Sequence, residues 1–218
     1  MTSPDRRLRP RRKPSQSRAW ATSQAIQDAF LIVLLERGYE AVSIRDIAGV
    51  AGVGIGTLYL YFPNKESIAA VTVRGRVRQL AHALAQSRDM EGPRTLQQIA
   101  DDLVGAHVRL MLGQPAHWTA LILLERRISS LEAYRQLYRH HVDITREALA
   151  TASDWSDWPT AEQPASMAFT VFTITDGLVR NALLTLSPVP QAKALGAEIQ
   201  QAVRGYLAQS RAGHRPAA

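Results

Sequence analysis

The chain has 218 residues, 46% hydrophobic and 21% charged, enough for a helical bundle with a real core plus a small appended domain. It has no cysteine, which excludes disulfides and thiolate metal sites, and its longest wholly apolar runs, Ala29 to Leu35 and Ala120 to Leu124, are far too short to span a bilayer. The net charge of +7 is uneven: residues 1–18 hold seven basic side chains, Arg11, Arg12 and Arg18 among them, against the single acid Asp5.

This first segment, with three prolines and three serines, is expected to be a disordered basic arm. Arg6-Arg7 and Arg11-Arg12 are not an export signal, because Ala19 to Asp28 carries Thr, Ser, Gln and Asp in place of an apolar stretch. A cytoplasmic protein with no membrane contact is expected. The arm is either a DNA-binding extension or a solubilising tail. A first helix is predicted from about Ser17 or Thr22 to Arg37, with Ile26, Ala29, Phe30 and Val33 facing inward and Gly38 as its cap.

Ser43 to Phe62 carries the strongest pattern in the chain. Ser43 stands three residues before Asp46, a capping arrangement for a short second helix. Ile47, Ala48 and Ala51 share a face, and Gly52 supplies the left-handed residue of a tight turn. Val53, Leu58 and Tyr61 form the apolar side of a short third helix, which Pro63 ends. Two helices crossing at such a turn have the geometry that presents the second to a DNA major groove.

Asn64 caps a fourth helix predicted to reach about Arg88. The fifth runs from about Thr95 to Leu112 and is closed by Gly113 and Pro115, and the sixth from about Ala116 to Ile128. The seventh follows Ser129-Ser130 to about Ala152, and residues 154–159 read as a loop with two tryptophan anchors. The eighth spans about Glu162 to Leu186 and the ninth about Ala192 to Gln209. With no sustained alternation of period two, the expected fold class is all-α, with about nine helices and no sheet.

The signature Ile47-Ala48, Ala51-Gly52-Val53, Gly56-Thr57-Leu58-Tyr59, Tyr61-Phe62 and Lys65-Glu66 resembles that of the TetR family of transcriptional regulators, over roughly Ala25 to Ile68. The resemblance implies a three-helix DNA-binding domain over residues 19–66, with the motif at 43–62. A helical effector-binding and dimerisation domain over 67–212 and a tail over 213–218 complete the chain. It also implies phosphate contacts from Tyr59, Tyr61 and Lys65, although partial core packing is open for Tyr61 and a solvated position for Lys65. Ser43 either caps alone or also donates to a phosphate. Gly54, Ile55 and Leu60 depart from the family pattern, in which those slots are commonly polar. The reading helix therefore has no Arg, Lys, Asn or Gln to pair bidentately with a base. Readout is left to Thr57, to apolar contacts of Ile55 and Leu60 with thymine methyls beside Gly56, and to DNA shape. A palindromic operator with T-rich half-sites is the expectation.

The same resemblance implies a homodimer through the last two long helices, a double-stranded operator as partner, and a small-molecule effector that releases a repressor. Polar or aromatic residues set in apolar helical stretches are the effector-pocket candidates: His107, Met111, Trp118, Glu125, Tyr134, His141, Phe169, Phe172, Asp176 and Asn181. A ligand-independent or architectural DNA-binding protein is the alternative, and a helical-bundle enzyme a distant third. No catalytic residue, cofactor or metal is expected. His140 and His141 point about 100° apart on a helix and do not chelate one ion easily, and there is no P-loop, G-x-S-x-G or HExxH motif.

Overall fold

The computed structural model describes residues 17–88, 90–158 and 164–212. Among them the chain forms nine α-helices and one 3-10 turn at Trp155–Asp157, and no strand. The helices are α1 (Ser17–Ala41), α2 (Ile44–Ala51), α3 (Ile55–Tyr61), α4 (Lys65–Arg88) and α5 (Leu96–Leu112), then α6 (Pro115–Ile128), α7 (Leu131–Leu149), α8 (Pro164–Thr185) and α9 (Ala192–Ala212). The all-α expectation is met. Gly38 lies inside the range of α1, but its φ of 72° and ψ of 160° break the helix where a glycine stop was expected. The basic arm with Arg11 and Arg12, the side chain of Arg18, Glu162 at the expected start of the eighth helix, and the tail after Ala212 lie outside the described residues.

Two compact units divide the chain. One holds the described residues up to Val77 together with Thr119–Ser130, and the other holds Arg78–Trp118 and the residues from Leu131 onward. In the first, α1 buries Ile26, Ala29, Phe30 and Val33, spaced at three, four and seven residues so that they fall on one face. Ile47 and Ala48 of α2, Leu58 of α3, Phe62, Ile68 of α4, and Leu121 and Leu124 of α6 close the same core. Each large side chain fully buried there contributes about 1.5–3 kcal/mol from its removal from water.

In the second unit, α5 packs against α7, α8 and α9, and α8 packs against α7 and α9. Leu96, Ile99, Leu103, Val104, Val108 and Met111 of α5 meet Met167, Val171, Phe172 and Val179 of α8 and Ile199, Val203 and Leu207 of α9 in the buried interior. Arg204 of α9 holds Asp101 of α5 at 2.7 Å. The N-terminus of α5 is doubly capped. Thr95 and Gln98 form a reciprocal capping box, and Asp154 Oδ1 accepts from the Leu96 amide at 2.7 Å. Asp154 Oδ2 accepts from Trp158 Nε1 at 3.1 Å, so the loop after α7 is fastened to α5. Of the two expected aromatic anchors, Trp158 is buried and Trp155 half-buried.

Candidate functional site

The turn between α2 and α3 is built from a few local bonds. Ser43 Oγ accepts from the Asp46 amide at 3.2 Å and donates its own proton to Asp46 Oδ2 at 2.5 Å. Asp46 also meets Arg37 Nη1 at 3.0 Å. The Ser43 hydroxyl is the main influence holding the Asp46 carboxyl below its ordinary value, and Arg37 adds to it. With its one proton committed to Asp46, Ser43 is a cap. Gly52 has φ 66° and ψ 28° and donates its amide back into α2, and the Val53 amide reaches Ala48 O at 3.0 Å. Gly54, the residue before α3, offers no capping side chain.

This turn gives α3 two sides. Leu58 is fully buried and Tyr61 half-buried against the same core. Ile55, Gly56, Thr57, Tyr59 and Leu60 face solvent, with Leu60 61% exposed. That outward face holds no charge and two aliphatic side chains, and water is a poor environment for it. Arg45 of α2 is also exposed and makes no ion pair among the described residues.

The ammonium of Lys65, expected to meet a phosphate, donates from Nζ to three main-chain carbonyls: Tyr39 O at 3.2 Å, Glu40 O at 3.3 Å and Val42 O at 3.2 Å. An ammonium has three donors, and all are used. Lys65 thus ties the turn after α1 to the start of α4. It also sits 4.8 Å from the Tyr39 ring centre, and Arg127 of α6, paired with Glu40, lies 5.3 Å from the same centre.

The second unit encloses a buried polar cluster. His107 Nε2 lies 3.4 Å from Asp176 Oδ1 and 3.0 Å from Met111 Sδ. Arg180 Nε meets Asp176 Oδ1 at 3.0 Å and Oδ2 at 2.8 Å. Burial alone would push the Asp176 carboxyl up, but the His107 hydrogen bond and the Arg180 guanidinium prevail and lower it to about 2. Asp176 is therefore an ionised carboxylate at neutral pH. His107 Nδ1 is buried without a hydrogen-bond partner.

Beside His107 lies a small space lined by Leu84, Leu103, Thr145, Val171, Phe172 and Thr175, offering a water centre about 10 Å³. That is room for roughly one water molecule. His141 stacks on Phe172 with ring centres 5.5 Å apart, and Tyr138 meets the edge of Phe172 at 5.0 Å. The Tyr138 hydroxyl and Thr173 Oγ1 are 2.6 Å apart.

Residues 26–71 match the profile of the bacterial regulatory proteins of the tetR family. The match covers the segment from α1 to the start of α4. The fatty acid metabolism regulator protein of Bacillus subtilis is 32% identical over 113 residues, which are 51% of this chain and 56% of that protein. The HTH-type transcriptional repressor KstR of Mycolicibacterium smegmatis is 36% identical over 90 residues, 41% of this chain and 43% of the repressor. These matches span about half the length of the curated relatives. The crystal structure of the transcriptional regulator FadR from Bacillus subtilis in complex with stearoyl-CoA is similar in fold, with a TM-score of 0.65 at 22% identity, covering 83% of this chain and 96% of that one.

The pocket candidates separate into three groups. His107, Met111, His141, Phe172 and Asp176 come together around the small space. Trp118 is buried and donates to Leu110 O at 3.1 Å, whereas Glu125 is buried in the first unit. Tyr134, Phe169 and Asn181 are exposed. Sequence reasoning passed over Tyr138, Thr145, Thr175 and Arg180. Helical spacing carried the signal: Tyr134, Tyr138, His141 and Thr145 recur at four, three and four on α7, and Arg180 follows Asp176 by four on α8. Among the described residues no group of three His, Cys, Asp or Glu side chains is placed to hold a metal ion. None of the described helices is long and apolar enough to cross a membrane.

Proposed function

We propose that the chain is a sequence-specific DNA-binding transcriptional regulator: a repressor that grips a palindromic operator as a homodimer and leaves it when a small molecule enters the second unit. The exposed, uncharged face of α3, set on a glycine-turned scaffold, carries this reading. Residues 19–66 are the DNA-binding domain and 67–212 the effector and dimerisation domain. Thr57, Tyr59, Ile55, Gly56 and Leu60 meet the groove, Tyr61 reaches the backbone, and the basic arm supplies the long-range attraction that α3 lacks. Arg45 joins the phosphate contacts in place of Lys65. Exposed Leu178 on α8 and Leu186 just past its end support dimerisation through α8 and α9, and that symmetry sets two copies of α3 about one DNA turn apart. Acting on the chromosome of a bacterial cell, the protein works in the cytoplasm.

The similarity to a transcriptional repressor and to a regulator that binds stearoyl-CoA supports a repressor released by a ligand. Selection of bound duplexes from a random library by the full chain tests the DNA-reading half. The expected half-sites are T-rich where α3 faces them, and a G-rich half-site overturns the assignment. The nearly filled space beside His107 favours a second reading, a regulator that needs no ligand. Thermal-shift titration with metabolites, in the presence and absence of operator, separates the two: the proposed repressor is stabilised by a ligand that also releases the operator.

A further inference from the structure

The two hydroxyl side chains lining the space beside His107 have their own protons committed to main-chain carbonyls. His107 Nε2 faces two acceptors, Asp176 Oδ1 and Met111 Sδ, so it carries the ring hydrogen. In the neutral imidazole, Nδ1 is then a lone pair, buried and unpartnered. Thr145 Oγ1 donates to His141 O and Thr175 Oγ1 to Val171 O, both at 2.9 Å, which leaves only their lone pairs for a guest. The rest of the lining is apolar. Charge acts in the same sense. Asp176 is ionised and its cation, Arg180, is already committed to it, so an entering anion meets a carboxylate with no spare counter-charge.

A run of touching aromatic rings lies between the lining and the surface. From the lining residue Phe172, ring contacts run to Tyr138 and from there to Tyr134 and Phe169, each 6.0 Å from Tyr138. Tyr134 is 37% exposed and Phe169 52%, so this seam between α7 and α8 joins the surface to the lining.

We propose that the second unit takes an apolar molecule whose buried end is a hydrogen-bond donor, an alcohol or an alkylammonium, and rejects carboxylates and donor-free ends. The inference rests on the effector reading above and names its chemical class. The head seats against His107 Nδ1, Thr145 and Thr175, the chain lies along the aromatic seam, and Phe172 swings aside to admit it. A hydrocarbon end would leave Nδ1 unsatisfied, and an ether would add one more acceptor.

Calorimetric titration of the full chain, without DNA, compares decan-1-ol, decylammonium, decanoate and decyl methyl ether, with stearoyl-CoA as a fifth arm. The alcohol or the ammonium is expected to bind about tenfold or more tightly than the ether and the carboxylate, and their ratio tells a neutral head from a charged one. Thr175→Val, close in shape, is expected to shrink the preference, and His107→Leu to abolish it. Should His107→Leu fail to fold, the ratio on the unaltered chain decides alone. Equal affinity for alcohol and ether, tighter binding of decanoate, or no binding of the four decyl probes overturns the proposal. Binding of stearoyl-CoA with none of the decyl probes overturns it while preserving the effector reading. A donor preference without release of operator DNA does the reverse.

Discussion

Three carbonyl oxygens converge on Lys65 Nζ, two of them from residues just past the Gly38 break in α1. Replacing Lys65 by methionine keeps most of the stem and removes the ammonium, leaving those carbonyls to partial hydration. The expected cost is about 1–2 kcal/mol, read as a lower urea midpoint with an unchanged slope. Because no donor of Lys65 is left over, Lys65→Met weakens operator binding only through misplacement of α3. The log–log salt slope should stay constant, and a drop of roughly 0.9 would identify a phosphate contact instead. Asp176 gives a second prediction. Its carboxyl lies at about 2 in the fold against an ordinary 3.8, so its contribution is complete above about pH 4 and is lost as pH falls from there towards 2. That contribution is about 2 kcal/mol. Asp176→Asn should be less stable at pH 7 and should show a flatter fall in urea midpoint below pH 4. The sequence marked His107 and Asp176 as unusual polar positions in apolar helices, but not as a pair. They lie 69 positions apart, and only the packing of α5 on α8 brings them together. The three bonds of Lys65 were illegible for the related reason that its partners are backbone atoms, which no side-chain pattern advertises.

At the level of helices, punctuation made most ends legible. Gly38, Gly52, Asn64, Thr95, Gly113 and Ser130 each stand at or beside an observed terminus, because each satisfies or relieves a backbone group that the helix leaves open. The reinforcement of α5 by Asp154 was not legible, since it arrives from 58 residues away. Thr95→Ala is expected to cost about 1 kcal/mol. Asp154→Ala should cost about 1–3 kcal/mol, because it orphans the Leu96 amide and the Trp158 indole together. Both changes loosen the same first turn of α5, so the double variant should depart from additivity in urea denaturation.

For the whole molecule, the number of helices and their order followed from the sequence, whereas the composition of the two units did not. Periodicity assigns a face to each helix but does not say which distant helix will cover it. Leu121 and Leu124 of α6 return to the core of the first unit after an excursion through α5. A protein that emerges from the ribosome N-terminus first makes α1, α2 and α3 well before those two leucines exist. The first unit therefore lacks part of its interior until residue 124 is out, and a peptide ending at Val77 should remain expanded and weakly cooperative in circular dichroism melts. Synthesis order thereby sets a checkpoint: nascent chains interrupted before α6 carry the motif without a finished interior, so truncated translation products should make poor competitors for the operator.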